Sequence, residues 1–179
     1  MNGPISCIEW EKRSPGACVN GTIKHQAQTQ YSIHPPSRFV RNHWDKLLPD
    51  WSCPARSMLI VLQACDCDLL ERSPFAEMQK RTLRRRFLKL GYAIAAKIKQ
   101  KGYTAALFDP RTGLPLLTRP GAYRLDDVAV VQAALHYRVT HSHGCSLILH
   151  PTWGRAVYPS TLVSSAEPVL MEQILSEMI

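Results

Sequence analysis

The fold is decided by the stretch SPFAEMQKRTLRRRFLKLGYAIAAKIKQKGYTAALFDPRTG, residues 73–113. Ser73 is a capping residue, and Pro74 suits a first helical turn. Apolar residues recur at Leu83, Phe87, Leu90, Ile94 and Ile98 in steps of three or four, so one face of a helix is buried. The run Gly91-Tyr-Ala-Ile-Ala-Ala is small-sided, which allows close packing on a sheet. The spacing predicts a helix from Pro74 to Lys101. Tyr103 to Phe108 then reads as a strand. Asp109-Pro-Arg-Thr-Gly113 is a turn in which Asp109 accepts hydrogen bonds, Pro110 fixes φ and Gly113 takes a left-handed position. Leu114 to Thr118 returns as its partner, edge-like because of Pro115. A helix that feeds a hairpin favours an α+β fold with a mostly antiparallel sheet and flanking helices.

The flanking sequence extends this pattern. Arg38 to Trp51 reads as a short helix ending near Pro49-Asp50. Ser57 to Ala64 is a strand whose continuous apolar character marks burial on both faces. Asp126 to His136 is a second helix. A buried strand is expected at Ser146 to Leu149 and another at Ala156 to Val163. Glu167 to Met178 closes as an amphipathic helix opened by Pro168. Residues 1–30 mix Gly, Pro, Ser, Asn, Gln and Thr with little periodicity, and read as a flexible N-terminal segment. Residues 31–179 then form one domain. A chain of 179 residues with 45% hydrophobic content supports such a core.

No apolar run approaches the roughly 20 residues that span a bilayer, so the chain reads as soluble with no membrane partner. The N-terminus carries Glu9 and Glu11 and has no apolar signal region. The expectation is a chain without a secretory or organelle leader, in the cytoplasm. The six cysteines then read as reduced thiols.

The net charge is +8, and much of it sits in the long helix. From Lys80 to Lys101 it carries Lys80, Arg81, Arg84, Arg85, Arg86, Lys89, Lys97, Lys99 and Lys101 without one acid. A nucleic-acid-binding helix is one reading. Against it, Arg84, Arg85 and Arg86 are adjacent, so they fan around an exposed arc. Aromatic residues are not interleaved as stacking platforms. A solvated face, or a docking face for an acidic partner, is preferred, with no nucleic acid.

The reactive groups cluster in Gly144-Cys145-Ser-Leu-Ile-Leu-His150-Pro-Thr-Trp153-Gly154, after His141-Ser-His143. A cysteine at a strand mouth beside histidines is a candidate thiolate. On local chemistry alone the better reading is a small buried hydrophobe, as most free cysteines are. Cys65-Asp-Cys67 and His141-Ser-His143-Gly-Cys145 hold metal-ligating residue types, but lack the paired spacing of a structural zinc site. Nothing marks the helix-borne nucleophile or orienting Asn of a cysteine hydrolase. His34, His43 and His136 read as packing or surface residues. No glycine-rich phosphate loop is present.

Several blocks, in order, resemble the methylmalonic aciduria and homocystinuria type D family, the CblD cobalamin-trafficking adaptors. They are Trp44-Asp-Lys-Leu-Leu-Pro49, Met58-Leu-Ile-Val-Leu-Gln63, Gly91-Tyr-Ala-Ile, Lys101-Gly-Tyr103 and Phe108-Asp-Pro-Arg-Thr-Gly-Leu114. The most specific are Gly144-Cys145 through His150, Trp153-Gly154 and Ala166-Glu-Pro168. Cys18-Val-Asn-Gly-Thr22 resembles a segment upstream of the family's folded domain. The resemblance implies a nitroreductase-like fold that binds neither flavin nor cobalamin alone. It implies a non-enzymatic adaptor that docks on a CblC-type cobalamin-processing protein and directs cofactor to methionine synthase or methylmalonyl-CoA mutase. It also implies that a cysteine thiolate coordinates the cobalt of partner-held cobalamin. Cys145 is the residue of the matching segment able to do so. The implied fold leaves a flavin-dependent reductase as the alternative function.

Overall fold

The computed structural model describes residues 23–26, 28–142 and 144–179. The Cys18–Thr22 block, most of the N-terminal segment and His143 lie outside the described residues. The elements run β1 (Ile23–Gln26), β2 (Thr29–His34), α1 (Arg38–Leu47), β3 (Ser57–Ala64), α2 (Pro74–Gln100), β4 (Ala105–Leu107), α3 (Asp127–Leu135), β5 (Arg138–Ser142), β6 (Cys145–Leu149), β7 (Val157–Ser164) and α4 (Pro168–Ser176). The architecture is α+β. Five strands form one sheet in the order β1-β2-β3-β7-β4, and β5 and β6 form a separate ribbon. Each of these pairings is antiparallel.

The centre of the sheet explains its layers. In β3, Ser57 to Gln63 are all buried. Successive strand residues face opposite sides, so both faces need a cover. Leu59 and Val61 pack with Phe87, Ile94 and Ile98 of α2 and with Met171 and Ile174 of α4. Met58, Ile60 and Leu62 pack on the other side with Val40 and Leu47 of α1, Val130 and Val131 of α3, and Ile148 of β6. The result is a three-layer sandwich with the ribbon in one outer layer.

Local sequence sets the helix limits as expected. Ser73 Oγ accepts from the Ala76 amide at 3.1 Å. Asp126 Oδ1 accepts from Val128 and Ala129 at 2.9 and 3.2 Å. The narrow face of α2 lies against β4: a Cβ on Gly91 would come within 2.4 Å of Leu107 Cδ2. In the turn after β4, Gly113 has φ 68 and its amide donates to the Asp109 carbonyl at 2.7 Å.

Three expectations change. The first is that β1 and the start of β2 fall within the segment read as weakly ordered. All six residues of β2 are buried: Tyr31 and Ile33 pack with α2 and α4, and the polar Gln30, Ser32 and His34 alternate with them toward the other layer, so no continuous apolar run marks the strand. The second concerns Leu114 to Thr118, which is no strand. Its pairing is the single bridge between Phe108 and Pro115, followed by Leu116 N–H to the Leu107 carbonyl at 2.9 Å. Pro115 has no N–H to continue a ladder. The third is Arg84, which does not belong to a solvated arc. Its Nε and Nη2 donate to the two carboxylate oxygens of Asp109 at 2.7 and 2.9 Å. Asp109 is buried, and these bonds hold its carboxyl below the usual range against the opposing effect of burial. This fork ties α2 to the turn after β4.

Asp127, in the first turn of α3, is buried, and its Oδ1 has no hydrogen-bond partner among the described residues. Burial pushes its carboxyl up to about 7.

Two predictions follow from these carboxylates. Arg84→Ser strands the Asp109 charge and is expected to cost about 1–3 kcal/mol. Arg85→Ser and Arg86→Ser, both exposed, stay within about 0.5 kcal/mol. Urea unfolding of the three variants checks the contrast. For Asp127 the folded pKa lies above the unfolded value of about 3.9, so the folded state binds the extra proton. Stability therefore falls as pH rises from about 4 through about 7. Asp127→Asn should remove one proton from that slope in melts taken across the interval.

Candidate functional site

Among the described cysteines, Cys65 is buried, Cys53 and Cys67 are half-buried and Cys145 is exposed. The chain locally dictates the position of Cys145. The ribbon pairs from Arg138 with Leu149 to Ser142 with Cys145, which puts Gly144 in the tight turn between the strands. Two-residue hairpin turns need positive φ, and Gly144 has φ 76. Cys145 is therefore the first residue of the returning strand, at the ribbon tip. The buried strand expected here is buried only at Ile148, while Cys145 and Ser146 are exposed. A two-stranded ribbon packs one face on the core and leaves the other in solvent.

The root of the ribbon is pinned by one buried amide. Gln30 of β2 is 1% exposed. Its Nε2 donates to the Tyr137 hydroxyl at 3.1 Å, and that hydroxyl lies 3.3 Å from Gln30 Oε1. Tyr137 immediately precedes β5. His150 follows β6, and its Nε2 is 2.9 Å from the same Oε1. The His150 tautomer follows from its other nitrogen. Nδ1 accepts from the amides of Thr152 and Trp153, both at 3.1 Å, so the proton is on Nε2 and is donated to Gln30. The imidazole also stacks on Trp153, with centroids 4.1 Å apart, and meets Tyr137 edge-on. Gln30 thus joins both ends of the ribbon to the sheet.

The tip borders a cleft of about 580 Å³ lined by Leu69, Leu70, Arg72, Glu77 and Lys80 with Cys145. The opposite wall is the 65–72 loop and the start of α2. Asp68 fastens that loop through Arg155 at 2.5 Å and through the Leu70 amide at 3.0 Å. Gln79 Nε2 donates to Asp66 at 3.1 Å, and Lys80 Nζ to Glu77 at 2.9 Å. The walls are apolar through the leucines, with cations from Arg72 and Lys80.

The structure does not bring His141 to this sulfur. His141 pairs with Ser146, and its Nδ1 lies 3.0 Å from the Ser146 hydroxyl. Cys145 pairs with Ser142, so strand alternation puts it on the other face of the ribbon. Cys65 and Cys67 form their own pair, with sulfurs 3.2 Å apart. No group of three or more His, Cys, Asp or Glu among the described residues is placed to hold a metal. His34 and His43 are packing residues. His34 is 4% exposed with its pKa lowered by burial, and His43 sits edge-on to Phe39 and Tyr123. His136 caps α3 in the left-handed conformation. In the basic helix Lys80, Arg84 and Lys97 are engaged by Glu77, Asp109 and Glu177. No helix among the described residues is long and apolar enough to cross a membrane.

Sequence reasoning missed Gln30, Tyr137, Arg72 and Lys80 as parts of this site. Gln30 fell in a stretch without periodicity, and Lys80 was one cation in a basic run.

The family model for the methylmalonic aciduria and homocystinuria type D protein matches residues 11–175. The cobalamin trafficking protein CblD of Homo sapiens is 22% identical over 147 residues, covering 82% of this chain and 50% of that protein. The protein of the same name from Rattus norvegicus is 22% identical over 145 residues, covering 81% and 49%. The chain spans about half the length of the curated relatives it matches.

Gln30→Leu withdraws the acceptor from His150 Nε2 and both partners from the Tyr137 hydroxyl. The expected loss is about 1–3 kcal/mol in chemical unfolding. Hydrogen exchange should speed up in residues 138–149 beyond the change in the main sheet.

Proposed function

Since the chain belongs to the methylmalonic aciduria and homocystinuria type D family, whose curated relatives are named for cobalamin trafficking, we propose that it is a non-enzymatic cobalamin-trafficking adaptor. It docks on a CblC-type cobalamin-processing protein and presents a thiolate to the cobalt of the cobalamin that the partner holds. The cofactor is then directed to methionine synthase or methylmalonyl-CoA mutase. The protein binds no flavin itself, works in the cytoplasm, and its three-layer sandwich is a nitroreductase-like fold. Cobalamin is cargo in this reading.

The observation that carries the proposal is the exposure of Cys145. It is the exposed thiol among the described cysteines, and it stands at a ribbon tip over an open cleft. A large metal complex held by another protein meets a sulfur only at such a protruding place. A thiolate is a soft donor suited to a transition metal, and it must lose its proton to bind. The apolar Leu69, Leu70 and Leu147 around it supply surface that a docking partner would cover. Arg72 favours an acidic group on that partner, while Lys80 is already paired with Glu77. The rigid root at Gln30 limits how far the tip strays, which lowers the ordering cost of docking.

Cys145→Ser should keep the fold and the docking, because both depend on broad surfaces. It should abolish the thiolate–cobalt absorption band of the mixture with a CblC-type protein carrying cobalamin, since a hydroxyl is a hard, weakly acidic ligand. Cys65→Ser and Cys67→Ser should leave the band in place. An unchanged band in Cys145→Ser refutes the assignment of that residue.

A further inference from the structure

We infer that Cys65 and Cys67 form a second thiol site, one that exchanges with low-molecular-weight disulfides such as oxidised glutathione and thereby alters the wall of the Cys145 cleft. The inference does not rest on cobalt ligation by Cys145.

Cys65 follows the last residue of β3, where its amide donates to the Ala156 carbonyl at 2.9 Å. The chain bends at Asp66 and Cys67, and this brings the two sulfurs to 3.2 Å. A disulfide needs about 2.05 Å, so roughly 1 Å of approach closes the bond. Cys65 is 8% exposed, while Cys67 is half-buried. The more accessible Cys67 is therefore the entry point, and Cys65 is the resolving thiol. Burial and the neighbouring Cys65 sulfur push the Cys67 thiol up to about 12. A thiol so raised is mostly protonated near neutral pH, so Cys67 exchanges slowly.

The step balances. Cys67, on losing its proton, attacks one sulfur of oxidised glutathione and expels one glutathione thiolate. Cys65 then loses its proton and attacks the Cys67 sulfur of the mixed disulfide, expelling the second glutathione. One Cys65–Cys67 bond forms and one glutathione disulfide bond breaks. The two protons end on the two glutathione thiols, and the pair of electrons passes from the protein to glutathione. A link across three residues removes little entropy from the unfolded chain. It is thus no structural staple, and its reversibility follows from that weak stabilisation.

The consequence for the cleft follows from the loop. Cys67 is joined through Asp68 to Leu69, Leu70 and Arg72, which form the wall opposite Cys145. Asp68 is anchored to Arg155, and Asp66, between the two cysteines, is held by Gln79. Drawing Cys67 toward Cys65 therefore pulls on a segment fixed at both points, and the displacement reaches the leucines.

The test equilibrates the full chain in glutathione buffers from fully reduced to fully oxidised, without cobalamin or partner. Acid quenching and peptide mapping then follow. The expected result is loss of two titratable thiols and two hydrogen masses, mapped to a bond between Cys65 and Cys67. Cys145→Ser should retain it, and Cys65→Ser and Cys67→Ser should each lack it. The rate at which iodoacetamide alkylates Cys145 should differ between the oxidised and reduced protein, but not in Cys67→Ser. Two free thiols at 65 and 67 under full oxidation, or a bond to any other cysteine, overturns the inference. So does a Cys65–Cys67 bond that leaves the Cys145 rate unchanged. Because the assay contains no cobalt, none of these results bears on the thiolate–cobalt band.

Discussion

The constraint on which this structure depends is the burial of β3 on both faces. From Ser57 to Gln63 no side chain of this strand reaches solvent freely. At about 25 cal/mol per Å² of apolar surface, leaving either face open would forfeit most of what holds the sheet together. Two layers of cover follow. α2 and α4 take one face, and α1, α3 and the β5–β6 ribbon take the other. Once both faces of β3 are sealed, this central strand offers no surface to a ligand. The chemistry moves to what protrudes, which is the ribbon tip and the loop leaving the end of β3.

Polar side chains inside the sandwich set its register. Gln30 faces the ribbon and holds both of its ends. Gln63 faces the opposite layer and donates to the Leu83 carbonyl of α2 at 3.0 Å. Ser57 Oγ donates to the Ala166 carbonyl at 2.7 Å, next to the start of α4. Each bond joins a strand to a different element of the outer layers. A buried polar atom without its partner costs about 1–3 kcal/mol, so a shifted helix or ribbon would be penalised at once. Apolar packing alone tolerates more sliding.

The distribution of thiols follows the same division. Cys65 lies where β3 leaves the core, and Cys145 lies as far from the core as the ribbon allows. Between them is the loop that Asp68 and Arg155 hold in place. The protruding sulfur thus borders a cleft whose opposite wall is the loop that follows the concealed pair.

The sequence by itself determined α2, β3, α3 and α4, the turn at Asp109–Gly113 and the family. Those features rest on local physics: Ser73 and Asp126 as caps, a repeat of 3.6, a continuous apolar strand, and Gly113 at positive φ. The sequence also marked Cys145 as a residue of interest, although its local chemistry fitted a buried hydrophobe better. Only the tertiary structure decided between exposure and burial, because this depends on which face of the ribbon meets the core. The same holds for β2, where buried Gln30, Ser32 and His34 alternate with Tyr31 and Ile33 and leave no continuous apolar run. Arg84 is one of three adjacent arginines in the chain, and its bond to Asp109 appears only when α2 and the turn after β4 come together. Hydrogen bonds and ion pairs between residues distant in sequence leave no periodic trace, so folding alone reveals them.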